Sequence, residues 1–250
     1  MSQSTESTTE SNPFTKPGFI IAAALVVALI AATVIIFLLP KGQGNAQPTP
    51  APAETSGSVI ASPSASALAE RSVCGLPASS EVALGSAPSS KWELVGRTAA
   101  PTDPDTVGPG ITAENGFRSC FAQSPTGALY AAANMVALGG LSDEGIQKEL
   151  IEKLVVPGPG RDAALKDIRT PSSADSSSIQ IRGFVIKAYS TSAAYVDLAF
   201  STPTGEYGHG VLPLKWIDGD WKVEISDAGE LLNDVAQVSD LGGYIPWSGA

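Results

Sequence analysis

Two cysteines, one histidine and a scatter of carboxylates are the residues of this sequence whose types admit chemistry. Cys74 and Cys120 are its only cysteines. Neither stands in a Cys-x-x-Cys or a Cys/His metal spacing, which argues against zinc binding and dithiol redox work. In an exported domain two lone cysteines most simply form a disulfide; two unrelated buried thiols of a cytosolic protein are the alternative. A bridge would close a loop of about 46 residues and stabilise the fold by about 2–4 kcal/mol. His209, the single histidine, lies in Tyr207-Gly208-His209-Gly210 ahead of a strand. As a general base it would have to face the interior and meet a carboxylate, whereas as a turn residue it needs no partner, and the turn is the expectation. Asp197 alternates against Val196, Leu198 and Phe200 and is expected on the solvent side of its strand. The sequence holds no Gly-x-Ser-x-Gly elbow, no phosphate loop and no His/Cys/Asp cluster at metal spacing. Gly108-Pro109-Gly110 and Gly158-Pro159-Gly160 read as turn punctuation. The expectation is therefore no catalytic residue, no cofactor and no metal.

Charge bears on the partners. Residues 73–250 carry 12 basic and 21 acidic side chains, net −9. Phosphate backbones and anionic headgroups repel such a domain, and no basic stripe interleaved with aromatics is present for single strands, so direct nucleic-acid binding is not expected.

Upstream of those residues the composition changes twice. Phe19 to Leu39 is a run of 21 residues without a charge, bracketed by Gly18 and Pro40. As a helix it would cover a hydrocarbon core of about 30 Å. A cleavable signal has a shorter apolar stretch of about 7–15 residues, although Gly44-Asn45-Ala46 resembles a weak cleavage site; a retained anchor is the expectation. Lys16 and Lys41 flank the span evenly, so the cysteines decide the orientation: residues 1–18 as a cytoplasmic tail and residues 73–250 outside. Residues 40–72, centred on Gln47-Pro48-Thr49-Pro50-Ala51-Pro52, read as a disordered Pro/Ala/Ser-rich linker.

The elements that must position these residues follow from periodicity. Ser124 as N-cap and Pro125 at the first helical position open an almost wholly apolar helix that Gly139-Gly140 ends, and a sheet is expected to wrap it. A second helix is predicted from Ser142 to about Val155, with Ile146, Leu150, Ile151 and Leu154 on one face, and a third over 162–168. The period then falls to 2. Ile179 to Tyr189 places Ile179 and Ile181 at one parity and Phe184, Ile186 and Ala188 at the other; a bulge at Gly183 would return both sets to one face. Ala194 to Phe200 forms a further strand. The clearest hairpin turns at Asp218-Gly219 in type I′ geometry. Counting outward pairs Trp216 with Trp221, Lys215 with Lys222, Leu214 with Val223 and Leu212 with Ile225, with the tryptophans on the core face. Lys91 to Gly96 looks like another strand, and 101–110 like a loop. Helices followed by a strongly bent antiparallel sheet predict an α+β fold, the order found in the nuclear transport factor two-like, or cystatin-like, cone.

A family resemblance adds to these readings. Cys74-Gly75-Leu76-Pro77, Trp92-Glu93-Leu94-Val95-Gly96, Gly108-Pro109-Gly110, the run from Gly116 to Ala128 and the ending Tyr244-Ile245-Pro246-Trp247 resemble anchored proteins encoded on conjugative and integrative elements of high-GC Gram-positive bacteria. Gln123 departs from that pattern, which has His there. More distantly, the layout is similar to bitopic inner-membrane components of type IV secretion systems. The resemblance implies a single-pass scaffold subunit of a conjugative DNA-transfer apparatus, non-enzymatic, meeting other subunits of the complex or further copies of itself. Tyr244 and Trp247 are the candidate partner contacts, aromatics being enriched at contact cores. An anchored ligand- or protein-binding module and an enzyme using the cone cavity are the alternatives.

Overall fold

The computed structural model describes residues 70–168 and 179–249. The expected span at 19–39 and nearly all of the expected linker lie outside the described residues. Among those described, no helix is long and apolar enough to cross a membrane.

Small residues shape the first half. β1 (Lys91–Val95) turns through Gly96-Arg97 into β2 (Thr98–Thr102), and the pair forms a two-stranded antiparallel sheet. β2 is buried along its whole length. Pro101 and Thr102, expected in a loop, thus belong to a strand; a strand covered on both faces shows no polar/apolar alternation to betray it. β3 (Ile111–Thr112) and β4 (Arg118–Ser119) make a second small pair.

Helix α1 (Pro125–Gly139) opens where expected, the Ser124 side chain accepting the Gly127 N–H at 2.9 Å. Alanines let its neighbours approach from every side. Ala128, Leu129, Ala131, Ala132 and Ala133 are fully buried between β2 and the main sheet. Helix α2 (Glu144–Leu154) is capped by Asp143, one residue later than Ser142, because the Asp143 carboxylate accepts the Ile146 N–H. Ile146 and Leu154 are buried, and Leu150 and Ile151 pack half-buried on the same core. Helix α3 (Pro159–Lys166) starts earlier than 162, since Pro159 begins it instead of only ending what precedes.

The main sheet is antiparallel and bent. It comprises β5 (Gln180–Tyr189), β6 (Ala193–Ser201), β7 (Tyr207–Ile217), β8 (Asp220–Val223), β9 (Ala236–Val238) and β10 (Ile245–Pro246). Their order is β10-β5-β6-β7-β8, with β9 also on β7. The register slips between Ile181 and Gly183, so Ile181 and Phe184 both reach the core. A Cβ on Gly183 would stand 2.9 Å from the Ile245 carbonyl oxygen, which is why this position admits β10. A second slip between Ile186 and Ala188, absent from the sequence reading, turns Ala188 outward and Tyr189 inward.

At the last hairpin Asp218 (φ 54°) and Gly219 (φ 77°) both occupy the left-handed region, as a type I′ turn demands. The ladder pairs Ile217 with Asp220, Trp216 with Trp221, Lys215 with Lys222 and Leu214 with Val223, and there it ends. Leu212 and Ile225 do not pair: the Glu224 N–H bonds the Pro213 carbonyl, and Ile225 bridges Leu231.

From Ser239 the chain leaves β9 on β7, returns to the sheet as β10 on β5, and inserts Trp247 among Trp92, Tyr130 and Phe184.

Candidate functional site

Strand parity decides which groups meet on the face of the sheet away from α1. Ala194, Val196 and Leu198 of β6 point into the core, so Asp197 points to the opposite face. It is nevertheless 2 % exposed. The expectation of solvent exposure fails because three donors converge on it from neighbouring elements. Lys187 Nζ of β5 lies 3.0 Å from Oδ2, His209 Nδ1 of β7 lies 2.9 Å from Oδ1, and the Tyr244 hydroxyl donates to Oδ2 at 3.3 Å. A buried carboxylate is tolerated when it is paired and hydrogen-bonded in this way. Desolvation first, and then the Asp197 charge, push the Tyr244 phenol up to about 12.

His209 therefore corrects its sequence reading twice. It is a strand residue, opposite Ala199, and it has a carboxylate partner. The dyad orients the ring through Nδ1, an arrangement compatible with proton transfer. It stands on the outer face, whereas the inner face of the sheet is filled by Leu129, Tyr130, Phe184, Leu198 and Trp247. Among the described residues no group of three or more His, Cys, Asp or Glu side chains is placed to hold a metal ion.

A second polar constellation anchors the N-terminal approach. Cys74 and Cys120 are joined by a disulfide, with Cys120 fully buried and Cys74 exposed. Cys120 adopts φ 66°, unusual without glycine, and the Asp220 carboxylate holds it there by accepting the amides of Cys120 (2.7 Å), Phe121 (2.9 Å) and Trp221 (2.9 Å). Burial raises the Asp220 carboxyl to about 6 against the opposing pull of those three N–H bonds. Ser72, buried and bonded through its hydroxyl to the Leu76 amide, already belongs to this knot. Gln123 ties it to the β5–β6 turn, donating to the Thr191 carbonyl at 2.7 Å while its own side-chain oxygen accepts the Glu70 amide.

The remaining residues singled out in the sequence divide by burial. Trp221 is fully buried, its indole N–H donating to the Ala122 carbonyl at 2.9 Å. Trp216 meets it edge-on, centroids 5.3 Å apart, but is itself only half-buried at the rim. Trp247 is 5 % exposed and bonded to Ser90, so it is core and not a contact offered to a partner. Tyr244 is half-buried over Asp197. The aromatic C-terminal tail closes its own sheet because β5 leaves an edge for Ile245–Pro246.

Together these features define a disulfide-tied α+β domain whose bent antiparallel sheet encloses one apolar helix. The chain belongs to the family described as a domain of unknown function, DUF8175, whose pattern matches residues 50–246. No curated protein and no solved structure matches it.

Proposed function

We propose that the protein is a single-pass, membrane-anchored scaffold subunit of a conjugative, type IV secretion-like apparatus, with a nuclear transport factor two-like domain outside the cytoplasm working through protein contacts. The observation that carries this reading is the filled interior. In a cone-shaped enzyme the inner face of the sheet frames the substrate; here α1 and Trp247 occupy that space with buried side chains. The apolar run at 19–39 and the resemblance of the motif runs supply the anchor and the apparatus. The Cys74–Cys120 bridge agrees with an oxidising compartment.

One observation favours a second reading, an exported catalyst: the His209–Asp197 dyad. Transfer of the element from cells carrying His209→Ala, and from cells carrying the chain deleted through Leu39, separates the two. The scaffold reading expects the anchor deletion to abolish transfer and His209→Ala to leave it. Transfer that depends on His209 and survives release of the domain would put the catalyst in its place.

A further inference from the structure

An open groove of about 550 Å³ lies where β1, β4 and the start of α2 meet. Leu94, Leu141 and Ile146 give it apolar walls, and Arg118 is part of its lining. Leu94 is 73 % exposed, an aliphatic surface left in water beside a concavity. Arg118 is the opposite case. Its side chain is 7 % exposed, Nη2 donates to Glu93 at 2.6 Å, and Nη1 is buried without a hydrogen-bond partner among the described residues. A buried charged donor left unpaired has lost its hydration without a compensating bond, so an acceptor brought to it is favoured.

The surroundings say what would satisfy it. Glu93 already balances the guanidinium, and Asp143 at the groove adds a further negative charge. An anion would meet net repulsion there; a neutral acceptor would not. Among the described residues β1 ladders with β2 alone, so its other edge carries no ladder there and offers main-chain groups for pairing. We propose that this groove binds an extended peptide segment of a partner protein. An aliphatic side chain of the segment packs on Leu94, Leu141 and Ile146, and a main-chain carbonyl takes the Nη1 proton of Arg118. Because Nη1 is covered in the unbound form, binding turns the guanidinium or its Glu93 partner toward the incoming carbonyl. The inference rests on the scaffold reading and names the surface that reading requires.

The test pans the full chain, in lipid nanodiscs, against phage-displayed random octapeptides, with the Leu94→Asp chain as counter-selection; Leu94 is exposed enough for that variant to fold. Enriched peptides should share an aliphatic residue without enrichment in Asp or Glu. A synthetic consensus peptide should lose about tenfold or more in affinity to Leu94→Asp. Replacing one of its main-chain carbonyls by methylene should weaken binding to the native chain by about tenfold and leave binding to Arg118→Met unchanged. If Arg118→Met does not fold, the methylene series on the native chain decides alone, and insensitivity at every position overturns the proposal. So does an acidic consensus, or the absence of any peptide enriched over the counter-selection. Each of these would remove the groove while the scaffold reading still stood or fell on the transfer assay.

Discussion

The Asp220 carboxylate and the Cys120 amide, 100 residues apart in sequence, meet at 2.7 Å and join the last hairpin to the disulfide loop. One buried side chain thus satisfies three backbone N–H groups on both sides of that contact. Its burial makes the contact sensitive to pH.

Asp220 binds its proton more tightly in the folded chain, up to about 6 against 3.8 ordinarily. Between those values the folded state holds more protons than the unfolded, so stability falls as pH rises through the window, by about 3 kcal/mol for a shift of about two units. Below about pH 4 the contribution is fully favourable. Asp220→Asn should flatten this slope in denaturant melts from pH 3.5 to 7. It should also lower stability throughout, because the amide NH₂ would oppose either the Cys120 N–H or the pair from Phe121 and Trp221. An unchanged slope would remove Asp220 from the pH response.

Cys74 and Cys120 should resist alkylation in the unfolded, unreduced chain and yield two thiols after reduction, counted by mass spectrometry. Reduction should cost about 2–4 kcal/mol, the value for a loop of this length. Two thiols found without reductant would withdraw the main support for an extracytoplasmic domain.

Trp221→Ala and Trp216→Ala should differ although the two residues pair directly. Trp221 is fully buried and bonded to Ala122, so its truncation should cost about 3–5 kcal/mol, the range for buried aromatics. Trp216 sits at the rim and should cost clearly less, about 1–2 kcal/mol, including the edge-on contact of about 0.5–1.5 kcal/mol. Equal losses in urea melts would contradict the burial difference.

Asp197→Asn should lower the titration midpoint of Tyr244 by removing the adjacent negative charge, while desolvation still holds it above 10. The change is read as the ultraviolet difference between this variant and its Tyr244→Phe counterpart. A midpoint that stays where it was would mean that Asp197 does not govern the phenol.

Local order was legible in the sequence where one short stretch carries its own reason. Ser124 and Pro125 start α1, Asp218-Gly219 fixes both the turn and the register of the tryptophans, and Gly183 marks the bulge that lets β10 approach. Periodicity reports which face of an element is apolar. It does not report what crosses the other face. The alternation of its strand places Asp197 on the solvent side; only the return of the chain 47 residues later brings Tyr244 over it, and only the registers of β5 and β7 bring Lys187 and His209 beside it. The same long-range closure puts Trp247 in the core instead of on a partner surface, and the approach of β1 to β4 pairs Glu93 with Arg118 while leaving one guanidinium nitrogen unsatisfied among the described residues. Such burial is a sum over contacts distant in sequence, which no window of neighbouring residues contains, so the tertiary structure alone decided it.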